Sequence, residues 1–211
     1  MASASLRNIT VPLGGGGQSA SSQGLLMPKL KYRFRATFNG FGVNTTNVME
    51  LTKQVVDITR PNINFNPFVI DIYNSKINLI GKPEWQAVTV NLRDDVNNNI
   101  SNLVGEQIQK QFDFAEQSSA ASGIDYKFGL TFEMLDGGNG ANAANTLETW
   151  ELYGCFIQEV NWGEMNYATS EPATVALTIK FDNAEQTAGP GGGAVGVGTA
   201  IQRTLGQSVS G

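Results

Sequence analysis

Apolar residues recur at every second position in one stretch of this chain after another. That period commits the chain to strands that bury one face and leave the other free. In the run LKYRFRATF, Tyr32, Phe34, Ala36 and Phe38 share one face, and Lys31, Arg33 and Arg35 share the other. From Trp85 to Arg93, Val88, Val90 and Leu92 alternate with Ala87, Thr89 and Asn91. The pattern returns as Tyr126, Phe128, Leu130, Phe132 and Met134, then as Trp150, Leu152, Phe156 and Val160. It closes as Val175, Leu177, Ile179 and Phe181. One-sided strands suit antiparallel sheets better than parallel ones. The segments Val48 to Thr59 and Phe65 to Ile80 are apolar on both faces, which predicts strands enclosed by something else. About eight strands of this kind predict a mainly β protein, an antiparallel β-sandwich or barrel.

One segment breaks the period. Between Asn99 and Gln117, Ile100, Leu103, Val104, Ile108, Phe112 and Ala115 recur at helical spacing along a single stripe. The run Asn97-Asn98-Asn99 supplies candidate N-caps. Gly105 in the interior costs about 1 kcal/mol relative to alanine, so the helix needs a docking surface. The expectation is one α-helix flanking the sheet and covering an open end of the barrel.

Composition narrows the chemistry. The 211 residues contain no histidine and one cysteine, Cys155. Ser-His-Asp and Cys-His catalysis, His-ligated zinc, a thiolate metal cluster and an intramolecular disulfide are thereby excluded. No catalytic residue, cofactor or metal is expected, and the chain is read as a non-enzyme. It carries no run of eighteen apolar residues and no charged-then-apolar leader, so neither membrane anchoring nor secretion is expected. Glycine and small polar residues dominate 1–28 and 184–211, the latter through GPGGGAVGVG. Such segments bury too little surface to order themselves alone. They are expected to be tails, or arms ordered against a neighbour, around a folded body at 29–183.

Shorter motifs carry little. The Gly137 to Gly140 run lacks the Lys-Ser or Lys-Thr helix of a phosphate loop. Asp94 and Asp95 lack the glutamate spacing of a calcium loop and suit a turn and helix cap better. Glu148, Glu151 and Glu159 read as solvated strand positions, and Cys155 as an inert strand residue.

In order and spacing, these pieces resemble the tube proteins of contractile bacteriophage tails and, more distantly, the haemolysin-coregulated tube proteins of type VI secretion. The short aromatic strand of that family is similar to Tyr32-Arg33-Phe34-Arg35, and its long protruding hairpin to the stretch around Tyr73, Lys76, Ile77 and Asn78. Its glycine corner falls on Gly81, followed by Trp85, the strand Val88 to Leu92 and the acidic turn at Asp94 and Asp95. Trp150 to Gly163 and Val175 to Phe181 match its last strands. The helix offers Phe112 and Phe114 where family members often carry tryptophan, and the glycine-rich tails are long.

The resemblance implies a structural virion protein: hexameric rings stacked into the inner tube of a contractile tail, assembled in the host cytoplasm. It implies self-association together with sheath, baseplate or initiator, and tape-measure partners. Genomic DNA would pass through the lumen without specific binding. A tube of a type VI secretion or phage-derived injection particle is the alternative, and a ligand-binding β-sandwich with Trp85, Trp150 and Trp162 along a cleft is a third reading.

Two features point to self-association without the family. Residues 29–93 hold nine Lys/Arg against four Asp/Glu, and residues 94–183 hold three against fourteen. Oppositely charged halves meeting head to tail would build rings and stacks, unless they interleave in the fold. Secondly, INFNPFVIDIY carries more apolar surface than an exposed hairpin should show, so it is either an interface or a core strand pair. The candidate contact residues are Phe65, Phe68, Ile70, Ile72, Tyr73 and Lys76 on the hairpin, the basic stripe Lys31, Arg33 and Arg35, and Asp94 and Asp95. A net charge of −5 argues against gripping phosphates, so an acidic or polar lumen would let a genome slide.

Overall fold

A strand of sixteen residues, β11 (Thr146–Asn161), organises the computed structural model. The structure describes residues 29–43, 48–136, 144–168 and 170–188, together with Val197. The chain divides into units 1–33 and 34–211. Of the first, the described part is a turn at 29–33, where Arg33 N–H donates to Leu30 O (3.2 Å). Most of the glycine-rich tails and the Gly137 to Gly140 run lie outside the described residues.

In the second unit the elements, in chain order, begin with β1 (Phe34–Asn39), α1 (Val48–Lys53), β2 (Val55–Ile58), β3 (Ile63–Phe65), β4 (Phe68–Ile72), β5 (Ser75–Leu79) and β6 (Pro83–Trp85). They continue with β7 (Val88–Arg93), α2 (Asn99–Gln111), β8 (Phe112–Asp113), β9 (Ser118–Ser119), α3 (Gly123–Tyr126) and β10 (Phe128–Leu135). β11, β12 (Thr174–Lys180) and β13 (Asn183–Ala188) close the chain. A seven-stranded sheet runs β1-β10-β11-β12-β7-β2, with β13 also on β11, and every pairing is antiparallel. The mainly β, antiparallel architecture read from the alternation is the one present.

The period predicts the core at most positions. Val88, Val90, Leu92, Phe128, Leu130, Phe132, Val175, Leu177, Ile179 and Phe181 are all buried in one cluster. Burying side chains of this size contributes about 1.5–3 kcal/mol each. β11 is different. Its buried residues are Glu148, Trp150, Leu152, then Cys155 and Ile157, so the phase slips by one after Leu152. Gly154, at φ +65, sits in that slip, where the register with β10 also shifts. Phe156 is therefore turned off the core face onto Tyr126 (ring centroids 6.4 Å), contrary to the simple alternation. A second slip between Ile157 and Glu159 returns Val160 to the core side.

Three further expectations change. Val48 to Lys53 is helical, because Met, Glu, Leu and Lys favour helix over strand and only the β-branched run that follows pairs with β7. α2 stops at Gln111 instead of reaching Gln117. Asp113 Oδ1 accepts the amides of Ala115 (2.8 Å) and Glu116 (3.2 Å), and this local turn outcompetes another helical turn. Those two amides hold the Asp113 carboxyl below its ordinary range. Finally, the sheet continues past Asn183: β13 pairs with β11 through Ala188.

α2 contributes Ile100, Leu103 and Val104 to the core. The asparagine run does not cap it: Asn98 takes φ 55 with no side-chain cap. Asp95 caps it instead, accepting from Asn99 N (2.8 Å) and Nδ2 (2.7 Å), while Asp94 accepts from Asp95 N (2.9 Å) and Ser101 Oγ. Gly154→Ala should lower stability by about 1–3 kcal/mol in chemical denaturation, because its φ is left-handed and a Cβ would collide with the Asp182 carboxylate.

Candidate assembly surface

The hairpin is built in two ladders on one path. At its base β3 pairs with β6, Ile63 opposite Trp85 and Phe65 opposite Pro83. Beyond it β4 pairs with β5, Phe68 opposite Leu79, Ile70 opposite Ile77 and Ile72 opposite Ser75. Gly81 lets the two arms approach closely between the ladders, since a Cβ there would overlap Asn66 O. Tyr73 takes φ 47 at the turn. Trp85 anchors the base: its ring packs on Phe181 (5.6 Å), its Nε1 donates to Asn183 Oδ1 (3.2 Å), and its carbonyl accepts from Lys180 Nζ (2.8 Å).

Past that anchor every residue of β4 and β5 is exposed, and among the described residues these strands form ladders only with each other. Phe68 (51 %), Ile70 (43 %) and Ile72 (48 %) share one face with Ile77 and Leu79, and no described residue closes it off from water. Phe65 and Tyr73 are exposed as well. The opposite face carries Asp71 and Lys76, 3.6 Å apart and both solvated, a pair that contributes little. The hairpin is not a core strand pair within the subunit.

The other candidates fare differently. Only Arg35 holds a strand position; Lys31 and Arg33 precede β1 in the turn, where Arg33 lies over the Tyr32 ring (5.4 Å). No basic strand stripe forms, and Arg35 is paired with Glu133 (2.5 Å). Asp94 and Asp95 are engaged in capping α2. The charge halves interleave, since β1 lies on β10 and β7 on β12. The segregation seen along the chain thus does not persist across the sheet.

The tryptophans line no common cleft. Trp150 is buried, stacked on Phe132 (6.2 Å), with Nε1 donating to Glu148 (2.6 Å); Trp85 packs on Phe181, and Trp162 is exposed. Glu148 is buried (5 %), not solvated as expected, because it shares the parity of Trp150; Gln186 Nε2 also donates to it (3.0 Å). On the outward face Tyr153 Oη donates to Glu151 (2.6 Å), which with Glu185 pushes the phenol up to about 12. Among the described residues no group of three or more His, Cys, Asp or Glu is placed to hold a metal ion.

Sequence reasoning missed two glutamines. Gln107 and Gln111 continue the helical stripe one and two turns beyond Leu103 and Val104, so a polar residue at a stripe position was the available signal. Gln107 is fully buried, accepts from Gly42 N (2.9 Å) and donates to Tyr126 O (2.6 Å). Gln111 accepts from Ile157 N (2.8 Å) and donates to Ile157 O (2.9 Å).

The exposed hairpin predicts that Phe68→Glu combined with Ile70→Lys leaves the thermal midpoint nearly unchanged while self-association in sedimentation is lost; an unfolded variant would contradict the geometry. Burial pushes the Cys155 thiol up to about 12. Its stabilising effect is therefore full below the unfolded thiol's pKa and is lost as pH rises toward 12. Thiol labelling near neutral pH should be slow in the folded chain and fast in denaturant.

No family model matches the sequence, and no curated protein matches it. Solved structures do. A chain of the anti-feeding prophage cap, the AFP tube terminating cap, superposes with a TM-score of 0.57 at 15 % identity, covering 78 % of this chain and 93 % of that one. A chain of the PVC sheath/tube terminator, from an extracellular contractile injection system, gives 0.57 at 13 % identity, covering 78 % and 99 %. A chain of the PVC sheath-tube complex in the extended state gives 0.53 at 14 %, covering 76 % and 92 %. At such identities the likeness is one of fold: this chain shares the mainly β fold of these cap, terminator and sheath-tube chains.

Proposed function

We propose that this chain is a structural, non-catalytic subunit of the tube of a contractile particle, assembled as hexameric rings stacked into a hollow conduit. The observation that carries the reading is the apolar hairpin, exposed along both strands of β4–β5, on a fold shared with tube-terminating and sheath-tube components. Contiguous apolar surface of this kind marks an interface. A second copy is the occupant a repeating wall supplies, in a head-to-tail contact that propagates.

Sheath, baseplate or initiator, and tape-measure proteins are the partners that go with this role, in a particle tail assembled in the host cytoplasm. In a phage tail the cargo is genomic DNA. The chemistry suits passage without binding. Net charge is −5, and one outward row of the sheet reads Thr37, Thr131, Glu151, Glu185. The neighbouring row has its one cation, Arg35, neutralised by Glu133. Lys53 of α1 lies beside Arg35, Thr37 and Glu133; away from that corner the rows are threonine and carboxylate, which repel phosphates.

A terminator that ends such a tube is the second reading, since two of the similar solved structures are tube-terminating components. Negative-stain electron microscopy of the concentrated protein, with sedimentation alongside, decides. Tubes of constant bore and variable length are expected. Single closed rings that do not stack would select the terminator, and a strict monomer, alone and with an initiating baseplate, would overturn both. Because the contact is apolar, tubes should survive an increase in salt; dissolution would assign the contact to charge instead.

A further inference from the structure

The backbone of β11 needs a partner on both edges, and one edge changes hands midway. On that edge β10 pairs from Leu135 down to Phe128, whose partner is Cys155. There β10 ends, and the chain leads back through Lys127 into α3. The opposite edge of β11 stays covered by β12 out to Asn161. From Ile157 onward, then, no strand among the described residues pairs with this side of β11, and open strand edges pair with other chains.

The first open rung is filled by a side chain. Gln111, the last residue of α2, offers its carbonyl to Ile157 N–H (2.8 Å) and its amide to Ile157 O (2.9 Å), the two bonds a neighbouring strand would make. Gln107, one turn earlier, holds Tyr126 O just ahead of β10 (2.6 Å). The two glutamines thus lay α2 along the edge where β10 leaves it. The next residues, Gln158 and Glu159, are polar and exposed. Beside them Ile108, Phe112, Phe114 and Val160 line a shallow groove, the kind of apolar flank that would reward a docking strand.

We propose that Gln111 is an edge guard: its amide occupies the first rung of β11 beyond β10 and keeps this edge from pairing with a strand of a second copy. The proposal is independent of the tube reading, since a lone edge of this kind invites pairing in any β protein.

Gln111→Met keeps length and packing but removes both hydrogen bonds; Gln111→Ala removes the side chain, and the pair of variants covers loss of fold in either one. Sedimentation velocity over a concentration series, with far-UV circular dichroism to establish folding, is the measurement. A folded Gln111 variant should associate at a concentration at least tenfold lower than the parent chain. Gln107→Ala, which weakens the same helix without opening the rung, should lose thermal stability without that shift. A folded Gln111 variant associating at the parent concentration overturns the proposal, and so does an equal shift in Gln107→Ala. Hydrogen exchange on the parent chain is a check that needs no variant: the Ile157 amide should be protected as strongly as the ladder amides, and rapid exchange there in the folded chain would also overturn the guard. A parent chain that forms no tubes leaves this comparison intact.

Discussion

The backbone hydrogen bonds of β11 are the constraint from which the rest of the molecule follows. A strand of sixteen residues is longer than any one partner here, so each edge is shared. β13 and then β12 take one side, and β10 and then the Gln111 amide take the other. Because a buried peptide group without a partner costs free energy comparable to a lost hydrogen bond, each hand-over must leave no rung empty. Gly154 makes the first hand-over possible by taking a left-handed conformation next to Asp182, whose amide donates to Tyr153 O (3.0 Å). The Asp182 carboxylate in turn binds Lys127 (2.6 Å) and raises its pKa.

The same requirement is left unmet in the hairpin. β4 and β5 satisfy one edge each and bury neither face, and a two-stranded hairpin is at best marginally stable alone in water. It is held at its base by Trp85, which ties it to β12 through Lys180 and to the core through Phe181. Its base is anchored, and its outer ladder is apolar and exposed.

Much of this was legible in residue order. β7, β10 and β12 follow their alternation, and Val88, Val90, Leu92, Phe128, Leu130, Phe132, Met134, Val175, Leu177 and Ile179 are buried; Tyr126, read on the same face as Phe128, instead ends α3 and is only half-buried. The exposed hairpin was legible as a choice between interface and core. That choice was not readable locally, since Phe68 and Ile70 look the same in either setting. Phe156 was misplaced because parity carries no warning of a bulge, although Gly154 in mid-strand was a mark of one. The N-terminal end of α2 is capped by Asp95, in line with the reading of Asp94 and Asp95 as a turn and helix cap, whereas its C-terminal end falls short of the apolar stripe. Asp95 outcompeted three asparagines as the cap, and Asp113 started a turn within the apolar stripe. Gln107 and Gln111 were passed over because amides at stripe positions look like solvated residues until the strand they bind is in place.

By itself the sequence determined the period of two that makes this an antiparallel β protein, the single long amphipathic helix, and the lack of histidine that removes most catalytic chemistry. Tertiary structure decided which apolar stretch is enclosed and which stands in water. It also decided where β11 changes phase, and which glutamine stands in for a strand. The physical reason is that periodicity fixes only the relation between neighbouring side chains. Whether a given face or edge meets solvent depends on partners dozens of residues away, as Ile157 meeting Gln111 and Trp85 meeting Lys180 both show.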